Sequence, residues 1–145
     1  NELIRLAKSA NRSLTPMQIL KLAYLCHGFM LALYGRPLIK QSIEAWRYGP
    51  VIRDIYDVFK RYGGGSVAEP VEGFSEKFDP QEADLIRQVF EKYGHFSGIA
   101  LSTMTHEPGS PWATTVESSG RNGQISNDLI SDYFRRMIDG RQQSA

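Results

Sequence analysis

The chain has 145 residues, a formal net charge of +1, 41% hydrophobic and 23% charged residues, and a single cysteine, the profile of one soluble globular domain, residues 1–145, able to bury its own core. Cys26 has no partner for an internal disulfide, no run of eighteen apolar residues suggests a membrane span, and a pI near 8.1 argues against a strongly basic nucleic-acid binder. The start, Asn1-Glu2-Leu3-Ile4-Arg5, lacks the layout of a signal peptide and is no initiator methionine, so the expectation is a cytoplasmic protein with residues missing ahead of Asn1.

Leu3 to Ala10 places Leu3, Leu6, Ala7 and Ala10 on one helical face. Thr15-Pro16-Met17-Gln18 then forms a strong helix start, a capping box with proline at the first helical position, and Gly35 is the natural stop. Between them Ile19, Leu22, Cys26, Phe29 and Leu33 make one apolar stripe and Leu20, Tyr24, His27, Leu31 and Tyr34 a second. Only Gln18, Lys21 and Gly28 leave a thin polar line, so the helix over 16–34 is expected to be central and buried.

Pro37-Leu38-Ile39 and Ile43 to Tyr48 read as two short strands or an extended hairpin, with Gly49-Pro50 breaking them. Pro50 is expected to open a helix to Tyr62, ended by Gly63-Gly64-Gly65, and residues 66–77 to form a mobile loop. Asp79-Pro80-Gln81-Glu82 is a second capping box, starting a helix to Tyr93 with Ala83, Ile86, Phe90 and Tyr93 inward. Ser97 caps a short helix to Thr105, Ser110-Pro111-Trp112 reads as a turn, and 118–123 as a loop. Ser126 caps a last helix ended by Gly140, before a polar tail over 141–145; its Tyr133, Phe134 and Met137 pack inside the domain or across a dimer. The fold class is mostly α (α+β), a compact helical domain around a central buried helix with a small hairpin or sheet near 37–48.

Charge is unevenly spread: residues 1–62 carry +6 and residues 63–145 carry −5. Either the halves neutralise each other at their contact, or they leave one basic and one acidic patch to steer a charged partner. The adjacent Cys26 and His27 point about 100° apart on a helix, so they do not pair for nucleophilic catalysis, and Cys26 reads as a core residue. His27, His95 and His106 have no metal-ligand spacing, and no metal or cofactor is expected. The triple glycine follows a helix with no lysine after it, the wrong order for a phosphate loop. Trp46, Tyr48, Arg53 and Trp112 are residue types that dominate binding hot spots, and for both tryptophans closing the core is an equal alternative.

Lys21 to Gly28, Leu31 to Leu38, Ile43 to Val51, Tyr56 and Phe59 to Gly63 resemble the Panacea domain of SocA-like antitoxins, also called the GepA-like phage-associated family. Leu101 to His106 with Gly109-Ser110-Pro111-Trp112 is similar to that family's second signature, and the two blocks cover most of the chain. The most specific parts are Trp46-x-Tyr48-Gly49-Pro50 and Thr105-His106 with Pro111-Trp112. The resemblance implies the antitoxin of a two-gene system, common in prophages, that neutralises a protein toxin encoded beside it. Masking the toxin and delivering it to a cellular protease both stay open. Some family members carry an added DNA-binding segment, and this chain shows none.

By residue type the contact surface is placed at Trp46, Tyr48, Gly49 and Pro50, at Arg53, Asp57 and Lys60, and along residues 63–77. His27, Thr105, His106, Pro111 and Trp112 belong to the family motif in a structural or functional role. The competing class is a small hydrolase or nuclease using His27 and His106. A nucleic-acid module is third, given the near-zero net charge.

Overall fold

The computed structural model describes residues 1–74 and 76–144, with side chains described through Gly140. Helices α1 (Glu2–Ser9) and α2 (Pro16–Tyr34) lead into strands β1 (Ile43–Trp46) and β2 (Gly49–Ile52). There follow α3 (Arg53–Phe59) with a 3-10 turn (Lys60–Tyr62), α4 (Pro80–Tyr93), α5 (Gly98–Thr105), α6 (Pro111–Ser119), β3 (Gln124–Ile125) and α7 (Asn127–Ser144). The mostly helical expectation with a small sheet holds.

Local chemistry sets α2. Thr15 Oγ1 accepts the Gln18 N–H, Gln18 Oε1 accepts the Thr15 N–H at 2.8 Å, and Gly35 ends the helix at φ 69°. Helices α4, α5 and α7 pack around it, and every residue from Ile19 to Leu31 is buried. Its length and composition alone would suit a membrane span, a property the sequence expectation did not credit to it. Helix α7 closes over α2 within the same chain, with Phe134 edge-on to Phe29 at 5.0 Å and to Tyr24 at 5.8 Å. That contact answers where Tyr133, Phe134 and Met137 go: Phe134 is buried in the domain and its neighbours pack against the core. Gly28 makes the approach possible, because a Cβ there would stand 2.4 Å from the Phe134 ring.

The sheet is antiparallel in the order β2-β1-β3. It lies later in the chain than expected: residues 37–39 form no strand, and Pro50 sits in β2 opposite Ala45 instead of opening a helix, which begins at Arg53. The reason is register. Ala45 uses its N–H and C=O on the other side, with Gly123 O at 2.8 Å and Asn122 N–H at 2.7 Å, so its partner Pro50 is not asked to donate. Three further expectations are corrected. Ser110 caps α6 through the Ala113 N–H, so Ser110-Pro111-Trp112 starts a helix and not a turn. Residues 118–123 only partly form a loop before β3, which pairs Ile125 with Ile43. Helix α7 continues through Gly140 to Ser144, into the segment read as a tail; Ala145 lies outside the described residues.

On α4, Leu85 and Val89 are buried and Ala83 only half-buried. The segment over 66–77 is tied down at several points; Ser75 lies outside the described residues. Val67 exchanges backbone hydrogen bonds with Leu14, Asn1 Oδ1 accepts the Val71 N–H at 2.8 Å, and Lys8 pairs with Glu69 at 2.6 Å. With Arg5–Glu76 and Arg36–Asp79/Glu82, these pairs join the basic first part of the chain to the acidic second part. The charge asymmetry is thus partly neutralised inside the molecule, each exposed pair contributing about 0–1 kcal/mol.

Candidate functional site

The β1–β2 hairpin turns over Arg47 and Tyr48, with Trp46 opposite Gly49. Its alternate carbonyls are each held by a different helix. The Trp112 indole of α6 donates to Trp46 O, the Ser102 hydroxyl of α5 donates to Tyr48 O at 2.6 Å, and the Lys21 ammonium of α2 donates to Pro50 O at 2.9 Å. Backbone acceptors that the sheet leaves over are satisfied, and the turn is fixed from its inner side. Gly49 has φ 117°, and a Cβ there would meet Lys21 Nζ at 3.0 Å and Thr105 Oγ1 at 3.3 Å.

Outward, Tyr48 is 57% exposed, with the Arg47 guanidinium over its ring at 5.3 Å. Glu44 accepts from the Trp46 indole at 3.1 Å and from two nitrogens of Arg53, each at 3.1 Å; the Arg53 bonds lead in holding its carboxyl below the ordinary range. Arg53 also lies over the Trp46 ring at 5.3 Å, Tyr56 meets that ring edge-on at 4.8 Å, and Lys60 stands 6.0 Å from the Tyr56 ring centre. Of the contact residues expected from sequence, Trp46, Arg53 and Lys60 are thus linked through Tyr56, with Asp57 paired to Lys60 at 3.4 Å, while Tyr48 stands at the turn with Arg47. Gly49 and Pro50 are buried and shape the turn from within, so they offer no side-chain surface.

The motif histidines go to separate places. His27 is 1% exposed, its Nδ1 accepting the Ile39 N–H at 3.1 Å and its Nε2 donating to Asn127 Oδ1 at 2.9 Å. Burial is the chief cause of its lowered pKa. With both nitrogens engaged it joins α2 to α7 and the 38–41 segment, and it has no edge to give a substrate. His106 follows α5, its Nδ1 hydrogen-bonded to Ser102 O and its ring edge-on to Trp112 at 5.3 Å. Thr105 Oγ1 donates back to Leu101 O and Ser102 O, and Pro111 occupies the first turn of α6. The His27–His106 pairing expected of a hydrolase is not formed. Cys26 is buried, with its thiol pushed up to about 12 by desolvation, as a core residue's should be. Among the described residues no cluster suits a metal ion.

One feature escaped the sequence. Where Arg53 and Tyr56 of α3 meet Trp46, Asp54, Ile55, Asp57 and Val58 of the same helix line a cleft of about 910 Å³. Its floor is Ile19, Ala23 and Cys26 of α2 with Ile86 of α4, and Ile39 and Phe74 help to wall it. The cleft needs segments that sequence spacing does not bring together.

A family model described as antitoxin SocA-like, Panacea domain, matches residues 19–113, a stretch that holds the hairpin and all three side chains that clamp it. Antitoxin SocA of Caulobacter vibrioides (strain NA1000 / CB15N) is 28% identical to this chain, covering 93% of it and 79% of the relative. No solved structure matches.

Proposed function

The chain belongs to the SocA-like antitoxin family defined by the Panacea domain, and from that premise we propose that it neutralises a protein toxin encoded by an adjacent gene through direct contact at the surface of Trp46, Tyr48, Arg53 and Lys60. The observation that carries this reading is the three-helix clamp on the hairpin. A turn whose Trp46, Tyr48 and Pro50 carbonyls are held in advance presents Tyr48 and Arg47 without further ordering, which removes part of the entropy cost of association. Tyr, Trp and Arg are also the side chains that concentrate binding energy. A standard interface of about 800 Å² per partner would cover this patch and mask a toxin's working surface. Binding in place of turnover fits the enclosed His27 and Cys26. The site of action is the cytoplasm, where the toxin is made.

The test is growth of cells expressing the adjacent reading frame with and without this protein, followed by co-purification. Rescue together with a stable complex supports the reading; a toxic neighbour that this protein neither rescues nor binds overturns it. The toxin's half-life in rescued cells separates the two routes, since masking leaves it unchanged and delivery to a protease shortens it.

A further inference from the structure

Resting on the toxin-binding reading above, we propose that the hairpin tip is a receptor for an acidic side chain, with Arg47 gripping an aspartate or glutamate carboxylate of the bound toxin. Along α3 the cations are already matched, Arg53 by Glu44 and Lys60 by Asp57. Arg47 is different. It is exposed, lies over the Tyr48 ring at 5.3 Å, and among the described residues has no carboxylate within ion-pair distance and no acceptor for its N–H donors. Those donors form the planar fork that fits a carboxylate.

Two further cations stand at this end of the sheet with no ion-pair partner among the described residues. Asn122 donates its N–H to Ala45 O, so the exposed Arg121 just before it runs on toward the end of β1 that leads to Arg47. Behind the turn Lys21, 1% exposed, donates to Pro50 O, and with a pKa of about 8 it keeps its charge at neutral pH. A charge so enclosed is little screened by salt. Of the carboxylates in this region, Glu44 is spent on Arg53 and the Trp46 indole, and Glu107, between α5 and α6, acts on Tyr133 of α7. The tip thus carries positive charge that the fold leaves unmatched.

An ion pair left in water adds little to affinity, whereas one ringed by apolar contacts that dry on docking adds far more. Such a ring is present. Tyr48 is 57% exposed, and Ile99, 79% exposed, lies one turn before Ser102, the α5 residue whose hydroxyl holds Tyr48 O. With the turn fixed at three carbonyls, little ordering is left for binding to supply.

The complex with the adjacent gene product tests this, by calorimetry beside thermal melts of the free variants. Arg47→Glu should leave the melt unchanged and weaken the complex at least about tenfold. Arg47→Lys keeps the charge without the fork and should hold only part of the affinity. Each aspartate and glutamate of the toxin is then changed to lysine against Arg47→Glu, and one of these reversals should restore binding at least about fivefold. Arg47→Glu binding within twofold of the parent overturns the receptor and leaves the toxin-binding reading standing. A loss that no reversal restores also overturns it, since Arg47 then meets some group other than a carboxylate. So does Arg47→Glu shedding co-purified nucleic acid while toxin affinity holds. If the parent itself neither binds nor rescues, both readings fall.

Discussion

The ammonium of Lys21, 1% exposed, donates to the carbonyl oxygen of Pro50 at 2.9 Å, and among the described residues no carboxylate is within ion-pair distance of it. Desolvation lowers its pKa to about 8 from the 10.5 of a free lysine. Between those values the unfolded chain holds a proton that the folded one has released, so this residue makes stability rise with pH across that window, by on the order of 3 kcal/mol. Cys26 works the other way above pH 9, where its unfolded thiol ionises and the buried one does not. Urea denaturation of the parent and of Lys21→Met from pH 7 to 10 isolates the lysine, since Cys26 is common to both. The parent should gain on the variant as pH rises; parallel curves would refute the assignment.

Tyr48 should behave as a surface residue for folding and a central one for binding. Tyr48→Ala is expected to change unfolding free energy by less than about 0.5 kcal/mol and to weaken the toxin complex at least tenfold, about 1.4 kcal/mol. Calorimetry of the complex beside thermal melts of the free protein reads both.

Trp112→Phe keeps most of the ring and deletes the donor to Trp46 O. A partly buried acceptor left without its partner costs about 1–3 kcal/mol. The loss should appear in denaturant unfolding, and toxin affinity should fall with it as the turn loosens.

Much of the helical frame was legible because it is written locally. Thr15-Pro16 with Gln18, Asp79-Pro80 with Glu82, and the caps Ser97 and Ser126 each act within four residues, and each starts a helix where expected. Ser110-Pro111 carries the same signal, although it reads as a turn in the sequence analysis. Pro50 was misplaced because its acceptability in β2 depends on Ala45 bonding to residues 122 and 123. Lys21 reads only as part of the thin polar line of α2, since its partner lies 29 residues ahead. The binding-type residues Trp46, Tyr48 and Arg53 could be named from composition and resemblance; the clamp behind them and the cleft beside them could not, as both are assembled from distant segments.

Gly28→Ala tests the contact between α2 and α7. A methyl group 2.4 Å from the Phe134 ring forces a shift in a closed core, at an expected 1–3 kcal/mol. Adding Phe134→Leu should recover part of the loss; a double variant worse than the sum of the two would contradict this account of the packing.

His27→Leu leaves the Ile39 N–H without its acceptor and should cost about 1–3 kcal/mol at pH 7.5. The folded histidine has a pKa below 6.5, so the unfolded chain takes up its proton first and the parent loses stability as pH falls through 6.5. The variant should lack that part of the acid limb, as read by denaturation at pH 7.5, 6.5 and 5.5.

The packing of Phe134 on Tyr24 and Phe29 also sets a schedule for synthesis. At about 5–20 residues per second, a ribosome takes roughly 5–20 s to travel from Tyr24 to Phe134. Once Tyr34 is made, the nascent chain carries the apolar α2 sequence with the flank that Phe134 covers still open. Any chaperone or protease that engages α2 during synthesis does so before α7 can close over it.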